Sequence, residues 1–260
     1  MIYLKTFKLE CVKKGNIYPF NVLRDNVFVF DNITVLYGNN GSGKSTILNI
    51  IANKLKLKGK ERVEGKFDYF GMYVSKCQYS LGEDENGKEI YKIPQNSRYI
   101  KSEDILYEVK KVQQDDILKK SMKVNLAKEE GYSYSKKFWQ TKHGKKQIAR
   151  VKFAREKFSN GETTIKILEE TIEPGGLYLL DEPEVSLSPQ NQVELAQKLN
   201  EMARYLDVQF IIATHSPFLL AILDAKKIYN LDTNDYRIQK WYELPNIRYL
   251  YQFLREHMEL

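Results

Sequence analysis

The sequence predicts an α/β fold on a mostly parallel sheet, and three observations predict it. After Phe158, short apolar runs such as Leu177–Leu180 and Val208–Ala213 alternate with stretches of helical apolar spacing, the pattern of buried parallel strands and the helices that cover them. A glycine-rich turn from Gly38 to Thr46, GNNGSGKST, joins the apolar run Ile33–Leu36 directly to Ile47–Ala52. Two of the later apolar runs end in polar clusters, LYLLDEPE at Leu177–Glu184 and ATHSP at Ala213–Pro217.

The elements follow in order. Ile2–Leu9 alternates apolar and polar residues as a half-buried strand does, and Val27–Phe30 and Ile33–Tyr37 are two more strands leading into the turn. The helix after the turn is expected from about Lys44 to Lys56, with Ile47, Leu48, Ile51, Ala52 and Leu55 at the spacing of a buried face. Phe67–Ser75, rich in aromatics, has strand character. From Ser80 to Ser159 polar residues dominate, with a turn-rich piece at Gly82–Lys88 and helical spacing over Ser102–Ala127. This stretch, 80–157, is expected as a small basic helical subdomain inserted into a single domain spanning 1–260. No sustained heptads appear in it. The regular pattern then resumes with helices at Glu162–Glu170, Gln190–Leu206 and Pro217–Leu223 and strands at Leu177–Leu180, Val208–Ala213 and Lys227–Leu231.

Composition narrows the class. At 260 residues and 42% apolar content the chain can bury one sizeable core. Cys11 and Cys77 are too few for a disulfide framework and lack metal-ligand spacing, so both are read as packing residues of a protein in a reducing compartment. The longest apolar stretch, Phe218–Leu223, falls far short of the roughly 20 residues that span a bilayer. A cytoplasmic protein without membrane contact is expected. The formal charge of +7 is unevenly spread, since residues 131–157 hold nine basic residues (Lys136, Lys137, Lys142, Lys145, Lys146, Arg150, Lys152, Arg155 and Lys157) against one acid, Glu156. Interleaved with Tyr132, Tyr134, Phe138, Trp139 and Phe153, they suit DNA or RNA, or form a solvated lysine-rich face.

The turn Gly38, Asn39, Asn40, Gly41, Ser42, Gly43, Lys44, Ser45, Thr46 contains Gly-x-x-x-x-Gly-Lys-Ser between a strand and a helix. Such a turn aims backbone N–H groups, a helix N-terminus and one lysine at a single point, which makes a polyphosphate cradle. Lys44 is expected on the β- and γ-phosphates of ATP and Ser45 on Mg²⁺. In LYLLDEPE, strand alternation sends Asp181 and Glu182 in different directions, so that Asp181 can hold Mg²⁺ while Glu182 accepts a proton from an attacking water. His215, at the end of the next strand, shares that sheet edge and can reach the γ-phosphate or the water. FSNGE opens a helix: by itself the pattern reads as a simple N-cap by Ser159 or Asn160, and Ser159, Asn160 and Gly161, with Glu162 beside them, also suit a second anion site, which in a chain that already has a phosphate loop would act on the nucleotide of another subunit.

The ordered set GNNGSGKST, FSNGE, LYLLDEPE, SLSP and ATHSP resembles the Walker A, signature, Walker B, D-loop and H-loop motifs of ABC-type ATPases. Within them it looks like the SMC, RecF and recombination-repair branch, and in MIYLKTFKL, SRYIKSEDIL and IYNLD it resembles small stand-alone bacterial predicted ATPases of that branch. The resemblance implies ATP hydrolysis by a head-to-tail homodimer, with Ser159, Asn160 and Gly161 acting in trans and Ser186–Ser188 near the dimer axis. It also implies a glutamine ligand for Mg²⁺, here Gln78 in preference to Gln95. The chain departs from the transporter signature at Asn160 and Glu162, and the long coiled coil of the SMC-like relatives is missing. A separate effector protein is a further expected partner. A transporter ATP-binding subunit, a P-loop kinase and a nucleotide-dependent switch with little turnover stand as the alternative readings.

Overall fold

A computed structural model describes residues 1–10, 18–20, 23–63, 67–83, 87–110 and 160–258. The expected basic segment 131–157, Cys11 and Ser159 lie outside the described residues. Contacts divide the chain into two compact units, one formed by Met1–Ser102, Ile172–Val185 and Gln192–Leu260, the other by Glu103–Thr171 and Ser186–Asn191.

The larger unit holds two sheets. Strands β1 (Leu4–Lys8), β2 (Val27–Val29) and β4 (Gln78–Leu81) form an antiparallel sheet in the order β2-β1-β4. Strands β3 (Ile33–Tyr37), β5 (Arg98–Lys101), β6 (Leu177–Asp181), β7 (Gln209–Thr214) and β8 (Lys227–Asn230) form a parallel sheet in the order β5-β6-β7-β3-β8. Every residue of β3, β6 and β7 is buried, which accounts for their unbroken apolar runs: neither face meets water. The register sets Asp181 opposite Ala213, and Tyr37 opposite Thr214. The carboxyl ends of β3, β6 and β7 therefore finish at one edge.

Helix α1 (Lys44–Lys54) follows β3 and packs Ile47, Leu48, Ile50, Ile51 and Ala52 into the core. Gln209, the first residue of β7, joins the two sheets: its Oε1 accepts from the N–H groups of Tyr3 (2.9 Å) and Leu4 (2.8 Å), and its Nε2 donates to Leu4 O (2.9 Å) and Asp31 O (3.1 Å). Cys77 is buried and its thiol pKa is pushed up to about 11, chiefly by burial, as an inert packing residue requires.

Three segments differ from expectation. Tyr69–Lys76 is helix α2, not a strand: Asp68 caps it by accepting from Gly71 N–H (2.8 Å), and Phe70, Tyr73 and Cys77 bury one helical face. Residues 98–101, inside the expected insertion, form β5 beside β6 in the main sheet. A C-terminal helix, Pro245–His257, follows a short 3₁₀ turn at Trp241–Glu243. Helices α3 (Asn160–Thr171), α4 (Pro189–Tyr205) and α5 (Pro217–Ile222) lie where the apolar spacing predicts them, so the C-terminal helix is α6. No helix among the described residues is long and apolar enough to cross a membrane.

Candidate active site

The loop between β3 and α1 turns through Gly41 (φ 83°) and Gly43 (φ 95°), left-handed conformations that cost side chains about 1–2 kcal/mol. Gly43 is also the N-cap of α1, so the first N–H groups of the helix point out of the loop. The Lys44 ammonium is buried and folds back, donating to Gly38 O (2.8 Å) and Asn39 O (3.2 Å). From outside, the Asp232 carboxylate accepts from Asn39 N–H at 3.0 and 3.1 Å and from Asn39 Nδ2 at 3.0 Å, while Asn246 of α6 donates to Asn39 Oδ1 (2.9 Å). Two segments distant in sequence thus fix the loop's second residue.

The two carboxylates at the end of β6 do diverge. Asp181 is buried, and its Oδ2 accepts from the Tyr99 hydroxyl of β5 (2.9 Å). Burial raises its pKa, opposed by hydrogen bonds from Ser45 and Tyr99. Its other oxygen, Oδ1, is buried without a hydrogen-bond partner among the described residues. Glu182 takes a left-handed backbone (φ 47°), held by its N–H on Ala213 O (2.9 Å) and by Val185 N–H on its carbonyl (3.1 Å). Its Oε1 lies 3.5 Å from Lys44 Nζ and 3.4 Å from His215 Nδ1. The cation of the phosphate loop, a carboxylate from β6 and the imidazole after β7 therefore meet at one oxygen.

Behind them, Glu184 is buried and accepts from the Thr214 hydroxyl and from His215 N–H (3.3 Å). Ser216 accepts from Phe218 N–H and Leu219 N–H, both at 3.2 Å, capping α5, and donates to Gln192 (2.5 Å). His215 is thus held at the junction of β7 and a capped helix, its ring half exposed.

Gln78 is not brought to this site. It is exposed at the start of β4, paired with Lys8, directly after α2. The end of α2 lies at the far end of α1, where Lys54 Nζ donates to Ser75 O (2.8 Å), about 15 Å along the helix from the phosphate loop. Gln95 fares no better, since it precedes β5 at the amino edge of the sheet. The β5 residue set opposite Asp181 is Lys101, whose ammonium pairs with Glu61. Tyr99 and Asp232 are missed by motif reading, because they act through a hydroxyl on β5 and a carboxylate in the turn after β8, outside the motifs. Tyr18 is another, its hydroxyl 3.3 Å from Thr46 Oγ1 and its ring stacked on Phe70.

In the smaller unit, Asn160, Gly161 and Glu162 open α3, with the acid in the first turn as the helix dipole favours. A Cβ on Gly161 would come within 1.9 Å of Asn191 Nδ2, so glycine permits that approach. Ser188 Oγ accepts from Asn191 N–H (3.3 Å) in the SLSP turn, where Ser186 is left-handed (φ 69°).

Comparison with known proteins accords with this geometry. The family model described as ABC transporter matches residues 29–185, and a second model, that of the AAA domain family AAA_21, matches residues 164–221. The chain is 33% identical over 72 residues to the "Retron Vc95 probable ATPase" of Vibrio cholerae serotype O1 biovar El Tor, a match spanning 28% of the chain and 14% of that relative. Among solved structures it is similar to the SMC head domain from Thermotoga maritima (16% identity, 88% of this chain and 94% of that one, TM-score 0.45). It is also similar to a nucleotide-free ATP-binding cassette from an ABC transporter (15% identity, 96% and 99%, TM-score 0.48). With its phosphate loop, its paired carboxylates and its histidine at one sheet edge, and with the family model covering more than half its length, the chain belongs to the ABC family and is an ATP-binding domain of the ABC-ATPase type.

Proposed function

We propose that two copies of this chain trap Mg-ATP between them and hydrolyse it to ADP and phosphate, and that this cycle drives a nucleic-acid or effector partner in the manner of the SMC and RecF branch. The observation that carries the reading is the meeting of Lys44, Glu182 and His215 at Glu182 Oε1. Lys44 donates to loop carbonyls and lies 3.5 Å from Glu182 Oε1; a γ-phosphate would offer it a stronger, doubly charged partner and release Glu182 to accept a proton from water. His215, 3.4 Å from the same Glu182 oxygen, orients that water or the terminal phosphate.

The residues fit a magnesium ion. Asp181 Oδ1 is a buried carboxylate oxygen in want of a partner, the Ser45 hydroxyl stands beside Asp181, and hard oxygen donors of this kind suit Mg²⁺. When bound, the ion neutralises charge on the β- and γ-phosphate oxygens. Burial raises the Asp181 pKa, a bound cation would oppose that rise, and the Tyr99 hydroxyl fixes the orientation of the carboxylate.

The dimer reading rests on Asn160–Glu162 at the start of α3, whose N–H groups make an anion site separate in sequence from the phosphate loop. Nucleic-acid binding rests on the basic, aromatic-rich segment 131–157. An effector protein is favoured by α6, which buries Ile247 yet exposes Leu250, Tyr251 and Leu254, with the exposed C-cap Met258 after them.

The test is Ser159→Arg. The change should leave ATP binding intact and abolish turnover if Ser159 serves the partner's nucleotide. Undiminished turnover would mean a P-loop enzyme that needs no second copy. Electrophoretic binding of single- and double-stranded DNA at two salt concentrations separates the partner classes: no binding at low salt with ATP present removes nucleic acid.

A further inference from the structure

Glu184 is buried, ionisable and outside the hydrolysis scheme above. Its Oε2 has no hydrogen-bond partner among the described residues, an expensive placement for a side chain that only fills space. Its Oε1 accepts from the Thr214 hydroxyl and from His215 N–H (3.3 Å). The Thr214 hydroxyl in turn accepts from Ser216 N–H (3.0 Å). Three consecutive residues at the end of β7 are thus tied, directly or through one hydroxyl, to a single carboxylate on the turn after β6.

The two ends of this tie matter. Glu184 stands two residues beyond Glu182, across the buried Pro183, on a turn that holds Glu182 in a left-handed conformation. Thr214 and Ser216 flank His215. The turns leaving β6 and β7 can drift relative to one another unless something beyond the strand ladder joins them, and the ladder register ends at Asp181 and Ala213. One further backbone bond, Glu182 N–H to Ala213 O (2.9 Å), joins the turns on the proton-accepting side, and Glu184 joins them on the imidazole side.

We propose that Glu184 is a positioning residue that locks the His215 turn to the Glu182 turn and so fixes the imidazole against the proton-accepting carboxylate. The role needs an acceptor at Oε1, not a charge, because both donors are neutral groups. It rests on the hydrolysis reading for its effect on rate, but the lock itself can be read without turnover.

The experiment compares Glu184→Gln, Glu184→Ala and Thr214→Val in the full chain. Glu184→Gln keeps the acceptor and should hold kcat near wild type. Glu184→Ala removes the whole tie and Thr214→Val removes the part that runs through the hydroxyl, to Thr214 and Ser216; each should lower kcat, by about 10- to 100-fold for Glu184→Ala, the scale of a small misplacement of a reacting group, with affinity for a fluorescent ATP analogue little changed. The second reading is the His215 ring resonance, assigned against His215→Asn and simplified by there being only two other histidines, His143 and His257. It should shift in Thr214→Val and Glu184→Ala and stay in place in Glu184→Gln. If Glu184→Ala does not fold, Thr214→Val, close in shape, decides alone. Wild-type kcat and an unmoved His215 resonance in Thr214→Val overturn the proposal, as does a parallel fall of kcat, nucleotide affinity and melting temperature in all three variants. Should the wild-type protein itself fail to hydrolyse ATP, the hydrolysis reading falls while the resonance still decides the lock.

Discussion

Replacing Gln209 by leucine tests how the two sheets are joined. The side chain is fully buried and makes four hydrogen bonds, two accepted from Tyr3 and Leu4 N–H and two donated to Leu4 O and Asp31 O. Leucine of similar size leaves two N–H groups and two carbonyls without these partners. Each stranded N–H costs about 1–3 kcal/mol, carbonyls less because a second lone pair is available, and added apolar burial returns about 1–2 kcal/mol. The net loss comes to about 2–4 kcal/mol. With an unfolding entropy of about 2.1 cal/mol/K per residue, near 0.5 kcal/mol/K for a chain of this length, the melting temperature should fall by about 4–8 °C. Differential scanning calorimetry reads this directly, with Gln209→Glu as a partial control that keeps the acceptor for both N–H groups. A Gln209→Leu melting temperature within about 1 °C of wild type would refute the assignment of the joint to this side chain.

Two further outcomes follow from the site. Burial holds the Asp181 carboxyl above its usual range, so the metal-free protein binds that proton more tightly than the unfolded chain does. Its ionisation therefore costs stability at neutral pH, and the cost vanishes as pH falls through the raised value toward the unfolded value of about 3.9. Asp181→Asn should accordingly melt higher than wild type at neutral pH in EDTA, lose that advantage in acid, and lose Mg-dependent turnover. Gly43→Ala forces a left-handed alanine at a cost of about 1–2 kcal/mol and should weaken ATP binding by about tenfold in a titration with the fluorescent analogue.

What was legible in the sequence was local. The run from Ile33 through Lys54 is recoverable because strand, loop and helix are adjacent and each glycine in the loop has a steric reason. Asp181, Glu182 and His215 sit at the ends of apolar runs, and parallel strands ending at one edge bring them together. The misreading of Tyr69–Lys76 has a physical cause: aromatics favour strands in general, but Asp68 at the cap and Phe70, Tyr73 and Cys77 at helical spacing carried the opposing signal. The strand β5 is four residues with a charge at each end, Arg98 and Lys101, and exists through its pairing with β6, which no local window contains. Gln78 sits opposite Lys8 at the start of β4 for the same reason, its place being set by α2 and the antiparallel sheet. Tyr99 and Asp232 act on motif residues from other parts of the chain, and Glu184, though inside LYLLDEPE, acts on the residues after β7, so only the fold exposes what they do.

The central claim is that paired copies hold ATP until Glu182 accepts a proton. Light scattering coupled to size exclusion on Glu182→Gln, with and without Mg-ATP, tests it most directly. The account predicts a species of twice the monomer mass, near 61 kDa from a 30.6 kDa chain, that persists with unhydrolysed ATP and is absent without nucleotide. A Glu182→Gln protein that remains monomeric with ATP bound, or turns ATP over at the wild-type rate, contradicts it.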